Sequence, residues 1–406
     1  MLKTLFAPVL FLFFISIAAN GQPPKIGSAE IDSRIEKLNF LGSVLYIAAH
    51  PDDENTRLIT WLANDRNART AYLSLTRGDG GQNLIGPELR ELLGVIRTQE
   101  LLEARKIDGG LQFFTRANDF GYSKTPDETL KIWDKSQVLS DMVQVIREFQ
   151  PDVIINRFDA RTPGTTHGHH TASAMLSIEA FDLAGSSTAY PSQGSTWEPK
   201  RLYMNTSWWF YGSKEKFDKA DKSKMIKIPT GTYYPEVGKS NQEIAALSRS
   251  SHKSQGFGSS GARGQDEEYL ELLKGDTGKG TNDLFYGIDT SWNRVENGKP
   301  IGQLISKIAS EYDYANPGKS VADLVRVYTM MTLLKDGYWK SVKLAEIREV
   351  IAACSGLFLE AAANLQQVSP GDQAKIKLEA INRSNVPMRI ASIDVQPQSS
   401  GEMALN

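Results

Sequence analysis

One cysteine, Cys354, stands among 406 residues, so no disulfide can close within the chain. It falls in an apolar helical pattern with Ile351, Ala352, Ala353 and Leu357 and reads as a small core residue rather than a nucleophile. A chain of this size can bury enough apolar surface to fold without cross-links. An excess of charge of one sign is also missing. Lys plus Arg number 46 against 48 Asp plus Glu, and no dense Lys/Arg run occurs, which argues against a nucleic-acid groove. A Gly-rich phosphate loop of the P-loop type is lacking, as are internal repeats. Histidine is scarce, five in all, and four of the five lie in two short motifs.

Long apolar runs are confined to the N-terminus. Lys3 precedes the apolar stretch Leu5 to Ala18, and the small residues Ala19, Asn20 and Gly21 follow. This is the pattern of a secretory signal peptide over residues 1–21, and it implies an exported protein, periplasmic or extracellular. A run of about 14 residues is short of the ~20 that a spanning helix needs, so no stable membrane span is expected once the leader is removed.

Downstream, short apolar runs alternate with helical periodicity. Ser43 to Ala49, Thr70 to Leu75, Leu111 to Thr115, Asp152 to Asn156 and Lys200 to Asn205 read as strands. Helices are expected over Arg57 to Leu62, Pro87 to Lys106, Glu128 to Phe149 and His170 to Leu183. The fold class is therefore α/β, a Rossmann-like, doubly wound and mostly parallel sheet. Residues 206–300 read as long loops with one helix near Gln242 to Ser251. Helices follow over Val321 to Leu334 and Val342 to Ala363. The α/β domain with its helical extension is placed at 22–365. The alternation in Ala374 to Ala380 and the run Arg389 to Val395 read as two strands, the beginning of a β-sandwich domain over 370–406. Two strands alone make no stable sandwich, which suggests a chain that is part of something longer.

The first histidine motif, Ala49-His50-Pro51-Asp52-Asp53-Glu54, follows the first strand; the second, His167-Gly168-His169-His170, lies between the fourth strand and the next helix. In a parallel sheet both fall on the carboxyl edge, where ligands bind. Catalytic zinc takes about three protein ligands from His and Asp/Glu. His50, one of the two Asp residues and His170 can supply them. The other Asp can act as base on a water, and His167 or Arg77 can face a developing oxyanion. Magnesium prefers oxygen ligands, so clustered imidazoles favour one Zn2+ per chain. The plainer alternative for Asp53 is a helix cap.

At these residues the sequence resembles the PIG-L (LmbE-like) deacetylase family, zinc enzymes of Rossmann-like fold that remove acetyl from GlcNAc-containing substrates. The resemblance covers about residues 40–205. It rests on Ala49 to Glu54, with Thr76-Arg77-Gly78 as a second block and Ser251-His252-Lys253-Ser254-Gln255 as a later element. It implies His50, Asp53 and His170 as metal ligands, Asp52 as general base, and His167 as the second catalytic histidine. The segments 78–83 and 284–289 look like a longer, exported branch of the family. Two departures stand out. The family's frequent His-Pro-Asp-His is here His-Gly-His-His, and a tyrosine that some members carry two residues before the first His is here Thr165. With that tyrosine absent, Arg77 or a tyrosine elsewhere has to serve the oxyanion. The implied reaction is hydrolysis of an N-acyl amide, N-acetyl foremost, on an amino sugar or glycoconjugate. The competing readings are a zinc amidase on a non-sugar amide and a non-catalytic, exported carbohydrate-binding protein. His252 reads as a helix-end cation, and Trp208-Trp209 as either core residues or a sugar-stacking pair.

Overall fold

The computed structural model describes residues 26–276, 281–369 and 371–393. The expected leader at 1–21 lies outside them. After α1 (Ser28–Lys37), the chain alternates β1 (Ser43–Ala48), α2 (Thr56–Asn64), β2 (Arg69–Ser74), α3 (Glu91–Asp108) and β3 (Leu111–Phe114). Helices α4 (Pro126–Ile132) and α5 (Lys135–Phe149) lead to β4 (Val153–Asn156), α6 (Gly168–Gly185) and β5 (Arg201–Thr206). These five strands are parallel, in the order β3-β2-β1-β4-β5. The order reverses between β1 and β4, and in open sheets of this kind ligands bind beyond the carboxyl ends at that point.

The continuous apolar run of β1 has a direct cause: both faces of the sheet are covered. Val44, Tyr46 and Ala48 pack into a core with Leu58, Ile59 and Leu62 of α2, whereas Leu45 and Ile47 face a second core with Val143 and Ile146 of α5. Burying Val44, Leu45 and Ile47 contributes about 1.5–3 kcal/mol each, so the strand register that positions the loop after β1 is firmly fixed.

Several expected boundaries shift. The helix expected from Pro87 begins at Glu91, and Pro87 sits in the preceding loop, where Asn83 accepts from the amides of Ile85 and Gly86, each at 3.1 Å. The expected helix over 128–149 is two, because the Asp134 side chain caps a new start by accepting from the Gln137 amide at 3.1 Å.

Residues 206–300 hold more order than their composition suggests. A 3-10 turn at Trp208–Tyr211, α7 (Lys214–Lys219), β6 (Met225–Pro229), the short ladder of β7 (Tyr233–Tyr234) with β8 (Lys239–Ser240), and α8 (Asn241–Arg249) precede β9 (Glu267–Lys274). Strand β9 joins the main sheet antiparallel to both β5 and β6. Its period-two pattern is masked because Glu268 points inward, accepting from Asn205 Nδ2 at 3.0 Å and pairing with Arg57 at 2.7 Å.

Helices α9 (Lys299–Ser310), α10 (Val321–Thr332) and α11 (Tyr338–Cys354) pack with α1 around a third core that includes Cys354. The helix expected to reach Ala363 ends at Cys354. Gly356, at φ 56, turns the chain into β10 (Leu357–Ala363), which pairs antiparallel with β11 (Ile376–Asn382). The second expected strand differs too: 389–393 carry no strand, and 394–395 lie outside the described residues. No helix among the described residues is long and apolar enough to cross a membrane.

Candidate metal centre at the sheet's switch point

Beyond β1 the chain makes the tight loop His50 to Glu54 before α2. Asn55, not Asp53, is the cap of α2, its side-chain oxygen accepting from Arg57 N at 3.1 Å and Leu58 N at 3.3 Å. Asp53 is thereby free to turn inward. Its Oδ2 accepts from the His50 amide at 2.8 Å and lies 3.1 Å from His50 Nδ1, and its Oδ1 lies 3.4 Å from His170 Nε2. The Tyr72 hydroxyl donates to the His50 carbonyl from β2, fixing the loop's entry.

The second motif meets the first across the switch point. His167 caps α6, its Nδ1 accepting from the His169 amide at 3.1 Å. The His170 ring stacks on Phe158, centroids 3.8 Å apart and planes 3° from parallel, which sets its orientation toward Asp53. Donor atoms of His50, Asp53 and His170 all lie within 4.8 Å of one another. A second convergent set, His50, His167 and His169, shares His50. The two sets use opposite edges of that ring, since Nδ1 faces Asp53 and Nε2 lies 2.9 Å from His169 Nδ1. Two imidazoles and a carboxylate, oriented by surrounding groups, are the donor types that zinc takes in catalytic sites, so the residues present fit that ion.

The His-Gly-His-His departure has a physical basis here. The Gly168 amide donates to Ser123 O at 2.8 Å, a bond that proline cannot make, and a Cβ at 168 would collide with the Thr125 carbonyl. His169 is fully buried between Phe120 and Trp133 and presents Nδ1 to His50, taking the place beside a ligand that a carboxylate often fills. A carboxylate is still close: Asp119 Oδ1, from the loop after β3, lies 3.8 Å from His169 Nδ1.

Asp52 sits beside this cluster with its own support. Arg97 of α3 donates to its Oδ2 at 3.0 Å and to the Pro51 carbonyl at 2.5 Å. A Cβ on Gly78, which has φ +71, would come within 2.5 Å of the same guanidinium, so glycine there makes room for Arg97. Burial pushes the Asp52 carboxyl up to about 6 against the pull of Arg97, with Asp53 and Glu54 adding to the rise. Asp53 moves the other way: burial opposes its charge, but the His170 and His50 rings hold it well below the usual carboxylate range. Burial lowers His170 to about 4 and His169 to about 2, and also lowers His167.

Glu54 and His252 form the rear of the site. Glu54 Oε1 lies 2.7 Å from His252 Nε2 and 3.3 Å from Arg105 Nη2, and Arg105 pairs with Asp108 at 2.5 Å. All four are buried. Burial works against the Glu54 charge, yet His252 and Arg105 hold it at about 2. His252, expected at a helix end, stands three residues beyond α8 with its ring buried against Glu54.

Arg77 is where the sequence expectation and the geometry part. Its guanidinium lies over the Phe114 ring at 4.2 Å, reaches Thr98 Oγ1 at 3.3 Å, and lines a cavity of about 460 Å3 with Glu91, Val95 and Arg116. None of the clustered histidines lines that cavity. The guanidinium on the Asp52 carboxylate is Arg97's, and only the path of α3 reveals it. Tyr122, 71% exposed, packs its ring 4.9 Å from that of His167; nothing local in the sequence marks it. Trp208 and Trp209 are more than half exposed on the same edge of the sheet, so they are not core residues.

Residues 45–181 match the family model described as GlcNAc-PI de-N-acetylase, PIG-L. It is 28% identical over 160 residues to the 1D-myo-inositol 2-acetamido-2-deoxy-alpha-D-glucopyranoside deacetylase 2 of Frankia casuarinae, a match covering 38% of this chain and 49% of that protein. The chain spans about half the length of the curated relatives it matches. Among solved structures it is similar to the 4-carboxy-2-hydroxymuconate hydratase of Pseudomonas putida KT2440, with 16% identity, TM-score 0.40, and 59% of this chain and 99% of that one covered. It is also similar to the N,N'-diacetylchitobiose deacetylase of Pyrococcus horikoshii, with 15% identity, TM-score 0.37, and 61% and 86% covered.

Proposed function

We propose that this chain is a zinc-dependent hydrolase that removes an N-acetyl group from an amino sugar or a GlcNAc-containing glycoconjugate. The observation that carries the reading is the convergence of His50, Asp53 and His170 at the switch point, with the Asp52 carboxylate alongside. The names of the relatives, deacetylases of an acetamido-glucopyranoside, supply the substrate class.

His50, Asp53 and His170 would hold the ion. When bound, zinc supplies a Lewis acid that polarises the amide carbonyl and makes water acidic enough to attack near neutral pH. Asp52 accepts the proton of that water. Its Oδ2 is engaged by Arg97, which keeps the carboxylate aimed while Oδ1 remains for the proton. His167, half-buried at the start of α6, delivers a proton to the departing nitrogen. The C–N bond breaks, and water's oxygen and hydrogens end up in acetate and amine. Tyr122 and the Trp208-Trp209 pair are the exposed aromatics suited to the sugar face. Export is proposed on the leader pattern alone.

The test is acetate release from N-acetylglucosamine and its short oligomers, with bound metal measured and a chelator arm included. Chelator-sensitive acetate release with about one zinc per chain is expected. Bound zinc without acetate from any sugar would shift the substrate to another amide. A folded, metal-resupplied protein that holds no zinc and releases no acetate would overturn the reading.

A further inference from the structure

Asp52 has a backbone that an L-residue seldom adopts, with φ 86. Such a conformation is strained and persists only where the surroundings over-determine it. Both of its peptide groups are tied down by side chains, one from the end of the same loop and one from a distant helix. The Asp52 amide donates to Glu54 Oε2 at 2.9 Å, and the Asp52 carbonyl accepts from Arg249 Nη1 at 3.1 Å. Glu54 is in turn gripped through its other oxygen by His252 at 2.7 Å, with Arg105 at 3.3 Å. Arg249 is itself held, lying over the Phe257 ring at 4.1 Å.

Arg249 is the last residue of α8, and His252 stands three residues on. Both lie well beyond the 45–181 segment matched to the family model. The end of α8 therefore reaches the same residue twice, once directly on its carbonyl and once through Glu54 on its amide. We infer that the end of α8 and the turn after it are a positioning element, in which Arg249 and His252 together hold Asp52 in its left-handed conformation and so set where its carboxylate points. Neither residue meets substrate; both act through Asp52. The catalytic consequence rests on the proposed role of Asp52 as base, while the conformational one does not.

The experiment compares the zinc-loaded wild type with Arg249→Gln, His252→Ala and His252→Gln. Glutamine at 252 can still present an amide N–H to Glu54, whereas alanine cannot. Three quantities are read: bound zinc, the split of the acetate-release kinetics into kcat and KM, and the backbone amide resonance of Asp52 in protein labelled with 15N-aspartate. That resonance is assigned by its loss in Asp52→Asn. Its donation to a carboxylate gives the signal a distinctive position.

Arg249→Gln and His252→Ala should move the resonance and lower kcat about 10- to 100-fold, the scale expected for a misplaced catalytic group, with KM and zinc unchanged. His252→Gln should restore most of both. An unmoved resonance in a folded variant, or a moved one with unchanged kcat, overturns the inference. If His252→Ala does not fold, Arg249→Gln decides, because Arg249 is only partly buried. A wild type that releases no acetate from any amide would sink the functional reading, and the resonance alone would then decide the inference.

Discussion

One six-residue run, Ala49 to Glu54, faces two environments that follow opposite rules. In front, His50 and Asp53 meet His170 around donor atoms aimed at a shared point, and His167 and Asp52 are partly open to solvent. Behind, Glu54 meets Arg105, Asp108 and His252, all buried, with the Ser248 hydroxyl donating to Asp108 at 2.7 Å. The front keeps lone pairs for a ligand, and the back uses opposite charges to satisfy one another. Buried ions tolerate only the second arrangement unless a cation is supplied from outside. Removing a group from the front should therefore cost binding and chemistry directly, and removing one from the back should cost stability, with any loss of turnover passing only through the position of Asp52.

The largest effect is expected at the front. His170→Ala should abolish stoichiometric zinc and reduce acetate release to background, as read by metal analysis beside the assay, while the fold survives. Retention of a full zinc by this variant would shift the centre to the other donor set, His50, His167 and His169. Asp52→Asn comes next. It should keep its zinc and lose about 10²–10⁴ in kcat, the usual contribution of a positioned base. Near-normal turnover would remove Asp52 from that role.

At the back, Glu54→Ala leaves Arg105 and His252 without their shared carboxylate. Breaking a buried pair from one side costs about 3–5 kcal/mol, which denaturant unfolding would detect as a lower midpoint. If His170→Ala destabilised as much as Glu54→Ala, the contrast between the two faces would fail. The smallest effect is expected for Arg77→Ala, since its side chain lies on Phe114 and Thr98 beside a separate cavity. Stability should change by no more than ~0.5 kcal/mol, as at most surface positions, with kcat unaltered. A hundredfold loss of kcat would return Arg77 to the site.

The sequence by itself determined the five parallel strands, because strands buried on both faces must be apolar throughout and the helices between them carry their own period. It also determined that both histidine motifs share the carboxyl edge, since that follows from parallel order alone. The contents of 206–300 were not legible. Strand β9 turns Glu268 inward to meet Asn205 and Arg57, a pairing that no local pattern announces. The helix expected to continue to Ala363 was misread for a related reason: Leu357–Ala363 is rich in residues that also favour helix, and its pairing with Ile376–Asn382 makes it a strand. Tertiary structure alone supplied a guanidinium for Asp52, that of Arg97, through the line of α3 against Gly78, and set Arg77, expected to face the oxyanion, on Phe114 and Thr98 instead. It alone brought His252 and Arg249 across nearly 200 residues to the motif. Local spacing fixes what a residue can do chemically; long-range packing fixes which partner it meets, and in this site the partner decides whether a carboxylate binds, reacts or holds the loop in place.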